Sequence, residues 1–266
     1  MVRFSIITVC YNSENTIERT IKSVLEQSYT DFEYIIVDGA SKDNTMEIVS
    51  RYEPLFKGRM KWVSEPDKGI YNAMNKGIMR STGEIIGIVN SDDWLEPDTL
   101  QTLFDEISND NSNREKILTG EVLFYYADGT TQHYPTSYER YEYFAKHYRM
   151  GLNHPATFVP RVIYDRIGLF DERFKLYADA DFIIRCYEAG VGVHFIHKVL
   201  SNMADGGASN VRSKKELEDS LLKYQKHCKT KLEYIGYAFR ARVMWFLRGF
   251  IPKWYVRWYR QRHNKK

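Results

Sequence analysis

The chain has 266 residues, 43% of them apolar, 15% aromatic and 27% charged, with a formal net charge of +3. That composition excludes a disordered chain, a collagen-like repeat and a small disulfide-stapled scaffold; it fits one large globular domain, with or without an appendage. Three widely spaced cysteines, Cys10, Cys186 and Cys228, build neither a CxxC motif nor a metal knuckle, which points to a reducing compartment. Met1-Val2-Arg3 runs straight into a strand-like segment too short for a secretory leader, so no signal peptide is expected. No stretch reaches the ~18 uncharged apolar residues of a spanning helix. The best candidate, residues 235–251, is interrupted by Arg240, Arg242 and Arg248. The charge is unevenly spread. No acidic residue follows Glu233, and nine Lys or Arg fall between Arg240 and Lys266, leaving 29 basic against 35 acidic residues elsewhere. An acidic body with a basic tail is the first functional clue.

In chain order, residues 3–10 read as a buried strand. Residues 14–27 follow as an amphipathic helix with Ile17, Ile21, Val24 and Leu25 on one face. Residues 34–37 are a second strand ending at Asp38-Gly39, and Asp43 starts a helix carrying Met46, Ile48 and Val49. Residues 61–63 are a third strand, 70–79 a helix, and 84–89 a fourth strand ending at Asn90-Ser91-Asp92-Asp93. This alternation implies βαβ crossovers and a mostly parallel sheet, whose ligands bind beyond the carboxyl ends of the strands. Asp38 and Asp92-Asp93 sit at such ends. Residues 116–203 are more mixed, with strands near 117–126 and 193–203 and a helix near 182–189. Asp205 to Ser209 reads as a glycine-containing loop, and the chain is helical from Lys214 into the aromatic and basic tail.

Three features carry chemistry. Paired carboxylates on a strand-end turn suit a hard divalent cation that bridges to phosphates, although Asp and Ser are also ordinary residues of a turn before a helix. Asp38 has the right place to accept hydrogen bonds from a base or ribose, or is a simple turn aspartate. The segment Glu65-Pro66-Asp67-Lys68-Gly69-Ile70-Tyr71-Asn72-Ala73-Met74-Asn75-Lys76-Gly77 begins a helix after a glycine, between lysines that either meet an anion or stay solvated.

Taken in order, Ser5-Ile6-Ile7-Thr8-Val9-Cys10-Tyr11-Asn12, Ile36-Val37-Asp38-Gly39-Ala40-Ser41-Lys42-Asp43-Asn44-Thr45, the 65–77 segment and Asn90-Ser91-Asp92-Asp93 resemble a family 2 glycosyltransferase of GT-A fold. The resemblance covers residues 3–205 and leaves out the tail. It implies a GT-A-like α/β domain over residues 1–212, a mostly parallel sheet flanked by helices, while the charge and helical pattern make 213–266 a helical basic extension. It also implies that Thr8, Tyr11, Asn12, Glu14, Asp38, Asp67, Asn75 and Asp92 bind a nucleotide-sugar. Asp93 would take Mg²⁺ or Mn²⁺, with Asp92 as second candidate. The family's Glu-Asp pair before an apolar run ending in Arg matches Ala178-Asp179-Ala180-Asp181-Phe182-Ile183-Ile184-Arg185, with Ala178 at the Glu position. Asp179 is then the catalytic base and Asp181 its alternative, unless Asp181 only caps the helix. His154, Gly206 and Gly207 are candidates for acceptor contact and a lid, whereas His194 and His197 read as structural or surface residues.

The expected activity is inverting transfer from a nucleotide-diphosphate sugar, with UDP favoured, to a glycan or lipid-linked saccharide in bacterial surface polysaccharide assembly. Aromatic residues interleaved with Lys and Arg after Tyr234 suit an anionic membrane surface best, packing of the apolar face on the catalytic domain next, and nucleic acid least. That places the enzyme in the cytoplasm, peripheral at the inner face of the cell membrane. The rivals are a membrane- or RNA-binding module built on the tail and a sugar-nucleotide nucleotidyltransferase, which lacks its Gly-rich phosphate loop here.

Overall fold

The structure is a computed structural model describing residues 2–205, 213–247 and 250. Four strands, β1 (Phe4–Cys10), β2 (Phe32–Asp38), β3 (Met60–Ser64) and β4 (Ile85–Ile88), pair in parallel in the order β3-β2-β1-β4. β1, β2 and β4 are buried along their whole length because helices cover both faces of this half-sheet. On one side α1 (Ile17–Leu25) and α2 (Thr45–Tyr52) pack through Ile17, Ile21, Val24 and Val49. On the other, α3 (Ile70–Arg80) packs through Tyr71, Met74 and Ile78.

The sheet then changes character. β4 pairs antiparallel with β8 (Thr157–Pro160), and β8 pairs antiparallel with β6 (Ile117–Tyr125), which runs parallel to β9 (Val193–Ala204). β9 ends the order by pairing antiparallel with the two-residue β5 (Trp94–Leu95), while β7 (Thr131–Tyr134) adds a hairpin to β6. Among the described residues this makes one nine-stranded mixed sheet. Its parallel half is the part the strand–helix alternation announced. α4 (Thr99–Asn109), α5 (Tyr138–Lys146) and α6 (Arg161–Ile167) follow in the second half of the chain. α7 (Ala178–Glu188) begins four residues earlier than the apolar pattern suggested. α6 packs against β8 and α7, and α5 against α7.

The C-terminal helices are α8 (Lys214–His227) and α9 (Lys231–Leu247). α8 turns Asp219, Lys223, Lys226 and His227, one helical face, toward the start of α7. α9 stacks Tyr237 on Tyr224 and accepts Tyr148's hydroxyl through Glu233 at 2.8 Å. No helix among the described residues is long and apolar enough to cross a membrane. Gly206 and Gly207, and the basic run after position 250, lie outside the described residues.

Candidate active site

The carboxyl ends of β1, β2, β3 and β4 open onto one edge, and their loops are sewn together. Asn12 N–H donates to Ser41 Oγ and Lys42 N–H donates to Asn12 Oδ1, both at 2.8 Å. Glu14 N–H donates to Asp43 at 3.0 Å, and Asn44 N–H donates to Glu14 Oε2 at 3.0 Å. Ser13 Oγ lies 2.9 Å from Ser91 Oγ, joining the first loop to the acidic one. Asn12 and Ala40 both take left-handed backbone conformations, with φ of 49° and 62°, a strain tolerated where the loop shape is fixed by such contacts.

Asp38 is fully buried. Ser41 N–H and Ser64 Oγ–H donate to its Oδ2 at 2.9 and 2.6 Å, and the Ser41 hydroxyl to its Oδ1. It holds the loop that carries Gly39, whose missing Cβ lets Asp67 Oδ2 approach: a methyl there would sit 2.6 Å from that oxygen. Tyr11, 61% exposed, lies beside Gly39 and Asp67 with its ring free for stacking. Tyr11 and Asp67 therefore reach the strand-end surface, while Asn12, Glu14 and Asp38 shape it.

Two expectations are corrected. Thr8 is buried inside the sheet, where its hydroxyl accepts Tyr34 Oη–H at 2.9 Å, so it presents nothing to a base. Asn75 is a clamp rather than a ligand-binding residue. Its Nδ2 donates to Phe170 O and Glu172 Oε1, and its Oδ1 accepts Phe170 N–H, at 2.9 to 3.0 Å. It secures α3 to the loop before α7.

Asp92 and Asp93 follow β4 as expected. α1 holds their backbone: Arg19 donates to Asp92 O at 2.8 Å while its guanidinium lies 3.6 Å over the Trp94 ring, and Thr20 Oγ1 donates to Asp93 O at 2.6 Å. The carboxylates are left without a salt bridge to any described residue. Asp93 is 1% exposed. Desolvation, then repulsion from Asp92, holds its pKa well above the usual value, and burial raises Asp92 as well. Asn90 donates to Asp93 Oδ2 at 3.3 Å, and Asn90's own Oδ1 is buried without a partner among the described residues. Two hard carboxylates destabilised by burial and repulsion, beside an orphaned amide oxygen, form a donor set suited to Mg²⁺ or Mn²⁺. Among the described residues no group of three or more His, Cys, Asp or Glu could hold such an ion.

The second acidic cluster opens α7. Asp179 Oδ1 accepts Tyr71 Oη–H at 3.1 Å and Ala180 N–H at 2.8 Å, while its Oδ2 accepts no hydrogen bond from the described residues. Asp181 is the opposite case. It is fully buried, with Arg185 Nε at 2.9 Å on Oδ2, and His227 Nε2 at 2.9 Å and Lys226 Nζ at 2.7 Å on Oδ1. These partners outweigh its burial and hold it below the usual carboxylate range. Asp181 is thus an anchor, and of the two Asp179 alone keeps an oxygen free of donors among the described residues.

His154 is near, in a short turn spanning His154–Ala156. It shares a cavity of about 20 Å³ with Asp179, Tyr164 and Phe170, and its Nε2 has no partner among the described residues. Burial lowers its pKa against the opposing pull of Asp179. His194 pairs with Glu106 at 2.8 Å and His197 stays exposed near Glu121, as expected of structural or surface histidines. Tyr71, Asn90, Asp219 and Lys223 were not singled out from the sequence. The last two carried one weak signal, a one-turn spacing with Lys226 and His227 that puts four polar residues on a single face of α8.

A mixed sheet with acidic residues at its strand ends and a carboxylate at the mouth of a later helix is the GT-A type of glycosyltransferase fold. The similarity is measurable: Staphylococcus aureus TarS 1–349, solved in complex with UDP-GlcNAc, superposes at a TM-score of 0.66 and 20% identity. That match covers 88% of this chain and 69% of the TarS fragment, whereas the chain spans 41% of a longer TarS structure. A Pyrobaculum calidifontis mannosyltransferase, solved with GDP-Man and Mn²⁺, superposes at a TM-score of 0.59 and 19% identity, over 92% of this chain and 70% of that one. A PGL/p-HBAD biosynthesis glycosyltransferase of Mycobacterium bovis is 28% identical over 216 residues, 80% of this chain and 81% of the relative. Residues 5–167 match the model of glycosyl transferase family 2, and the chain belongs to that family.

Proposed function

We propose that the enzyme transfers a sugar, with inversion, from a UDP-sugar to a saccharide or lipid-linked acceptor. Asp179 is the base, and Asp92-Asp93 the seat of the diphosphate-bound cation. The observation that carries this reading is the contrast at Asp179: one oxygen fixed by Tyr71 and Ala180, the other free of any described donor. The free oxygen takes the proton of the acceptor hydroxyl as that hydroxyl's oxygen bonds to the anomeric carbon. The bond from that carbon to the diphosphate breaks, and its electron pair leaves on the nucleoside diphosphate. Direct displacement needs no covalent nucleophile and inverts the centre. Mg²⁺ or Mn²⁺ bound by Asp93, with Asp92 and Asn90 Oδ1, would neutralise charge on the departing diphosphate as a Lewis acid. Tyr11 supplies an exposed ring for the base, and Asp67 a carboxylate beside it.

The complexes of the two structural neighbours, one with UDP-GlcNAc and one with GDP-Man and Mn²⁺, support a nucleotide-sugar donor and a divalent cation here. A peripheral seat at the inner face of the membrane is supported by α9, where Leu232, Ile235, Phe239, Val243 and Phe246 form one exposed apolar stripe beside Arg242. Such a seat suits a lipid-linked acceptor in surface polysaccharide assembly. The donor half is tested by thermal shift with UDP, GDP, dTDP and CMP, each with and without Mn²⁺. A native-state ligand raises stability by mass action, about 2.7 kcal/mol at a hundredfold excess over Kd. A shift with UDP that Mn²⁺ enlarges and Asp93→Ala removes is the expected result. No shift with any nucleotide would sink the reading.

A further inference from the structure

α3 reaches both ends of the proposed reaction. At its start Asp67 lies beside Gly39 and Tyr11 on the strand-end surface and accepts Gly69 N–H at 2.8 Å. Gly69 takes φ of 123°, which a residue with a Cβ rarely adopts, so the loop bends there to enter the helix. Two residues on, Tyr71 turns inward. It is 6% exposed, its ring centroid lies 5.7 Å from that of Phe170, and its hydroxyl donates to Asp179 Oδ1 at 3.1 Å. Among the described residues it is the one side chain hydrogen-bonded to Asp179; the other donor, Ala180 N–H, takes the same oxygen at 2.8 Å. The anchorage of α3 to the loop before α7 lies elsewhere, in Asn75 on Phe170 and Glu172 and in Asn72 on Glu172 Oε2 at 3.0 Å.

We propose that Tyr71 is a positioning residue for the reaction: its hydroxyl and Ala180 N–H together occupy Asp179 Oδ1, which holds the carboxylate in one orientation and leaves Oδ2 to receive the acceptor's proton. The proposal rests on the reading of Asp179 as the base. A carboxylate oxygen has two lone-pair sites, and both sites of Oδ1 are taken. A proton arriving there would have to displace a donor, whereas Oδ2 accepts none from the described residues. Tyr71 keeps its own proton throughout, because burial and the charge of Asp179 hold the phenol well above its usual range. The acceptor's hydroxyl proton therefore passes to Oδ2 while its oxygen bonds to the anomeric carbon. The diphosphate leaves with the electron pair of the broken bond. Without the Tyr71 hydroxyl, a single N–H from the neighbouring residue holds the carboxylate, and the alignment of Oδ2 with the acceptor loosens. One short stretch of chain thus shapes the donor surface through Asp67 and aims the base through Tyr71.

The test is Tyr71→Phe, which keeps the ring against Phe170 and removes only the hydroxyl. UDP release is followed with UDP-Glc, UDP-Gal and UDP-GlcNAc without a saccharide acceptor, so that water gives its proton to Asp179 in the acceptor's place. The expected result is a kcat lower by about tenfold, the size of a lost hydrogen bond to a charged group, with KM for the sugar nucleotide and the melting temperature nearly unchanged. That split marks an interaction used in the transition state rather than in binding. Placed in Asp179→Asn, the same substitution should lower kcat no further, because residues that act as a unit are not additive. A second arm serves if Tyr71→Phe does not fold or no sugar nucleotide is turned over. With tyrosine labelled with ¹³C at Cζ, one signal should move between the wild type and Asp179→Ala as the phenol loses its acceptor. Unchanged kcat in Tyr71→Phe, a further loss of kcat in the Asp179→Asn background, or Cζ signals that do not move would each overturn the proposal and leave Tyr71 a packing residue. Near-normal UDP release by Asp179→Asn would instead remove the base assignment, a result distinguishable from these.

Discussion

The molecule holds two pairs of aspartates that look alike in sequence, Asp92-Asp93 and Asp179-Ala180-Asp181, and they have opposite surroundings. At the first pair helix α1 takes hold of the backbone, and no cation among the described residues bonds either carboxylate, so burial pushes them toward the protonated form. At the second, Arg185, Lys226 and His227 all close on Asp181, which is driven toward the ionised form, while Asp179 one turn edge away keeps an oxygen free. The difference teaches that availability is decided by partners rather than by spacing. A carboxylate with a full complement of cations is architecture, and one left short awaits a ligand or a proton.

The sharpest way to break this comparison is to neutralise the second pair one residue at a time. Asp179→Asn should lower kcat by about 10²–10⁴, the usual worth of a general base, with its melting temperature nearly unchanged. Asp181→Asn should remove the buried anion on which Arg185, Lys226 and His227 converge and cost about 3 kcal/mol of stability, read as a lower urea midpoint. If the two variants exchanged phenotypes, the assignment of base and anchor would be reversed.

The same comparison predicts two pH slopes of opposite sign. Asp93 has a raised pKa in the folded state, so its contribution is present at acid pH and is lost as pH rises above the ordinary 3.8 toward the folded value. Asp181 has a lowered one, so its contribution is present above 3.8 and is lost as pH falls below it. Urea midpoints measured across pH should show the first slope vanish in Asp93→Asn and the second in Asp181→Asn. Asp93→Asn should also be at least as stable as the wild type at neutral pH, since it removes a buried, repelled charge. A destabilised Asp93→Asn would contradict that account.

Smaller effects sharpen the picture at the donor end. Tyr11→Ala should weaken UDP binding by about 1 kcal/mol, the low end for loss of a stacking ring, or roughly fivefold in Kd by titration calorimetry. Thr8→Val should leave that Kd unchanged, because the hydroxyl faces Tyr34 and not the opening. A weaker Kd in Thr8→Val would return Thr8 to the donor site.

Much of the parallel half could be read in advance because β1 and β2 are mostly apolar, buried along their length and separated by helices with a clear 3.6-residue period. The second half was harder, since β5 has two residues, β8 has four, and α5 carries only Tyr141 and Ala145 inward, too little pattern to announce an element. The acidic positions were visible as motifs, but their roles were not. Asn75 binds residues 95 and 97 positions away, and Asp181 is claimed by a helix more than 40 positions later. Hydrogen-bond partners at such separations leave no local trace. For the same reason a segment that read only as helical from Lys214 gave no sign that Asp219 and Lys223 face the start of α7.

The division of labour between the two aspartate pairs is tested most directly by calorimetric titration of UDP, with and without Mn²⁺, into the wild type, Asp93→Asn and Asp179→Asn. The account predicts that Asp179→Asn binds UDP with the wild-type affinity and the wild-type enhancement by Mn²⁺, and that Asp93→Asn loses the enhancement. Enhancement by Mn²⁺ that persists in Asp93→Asn, or that disappears in Asp179→Asn, would contradict it.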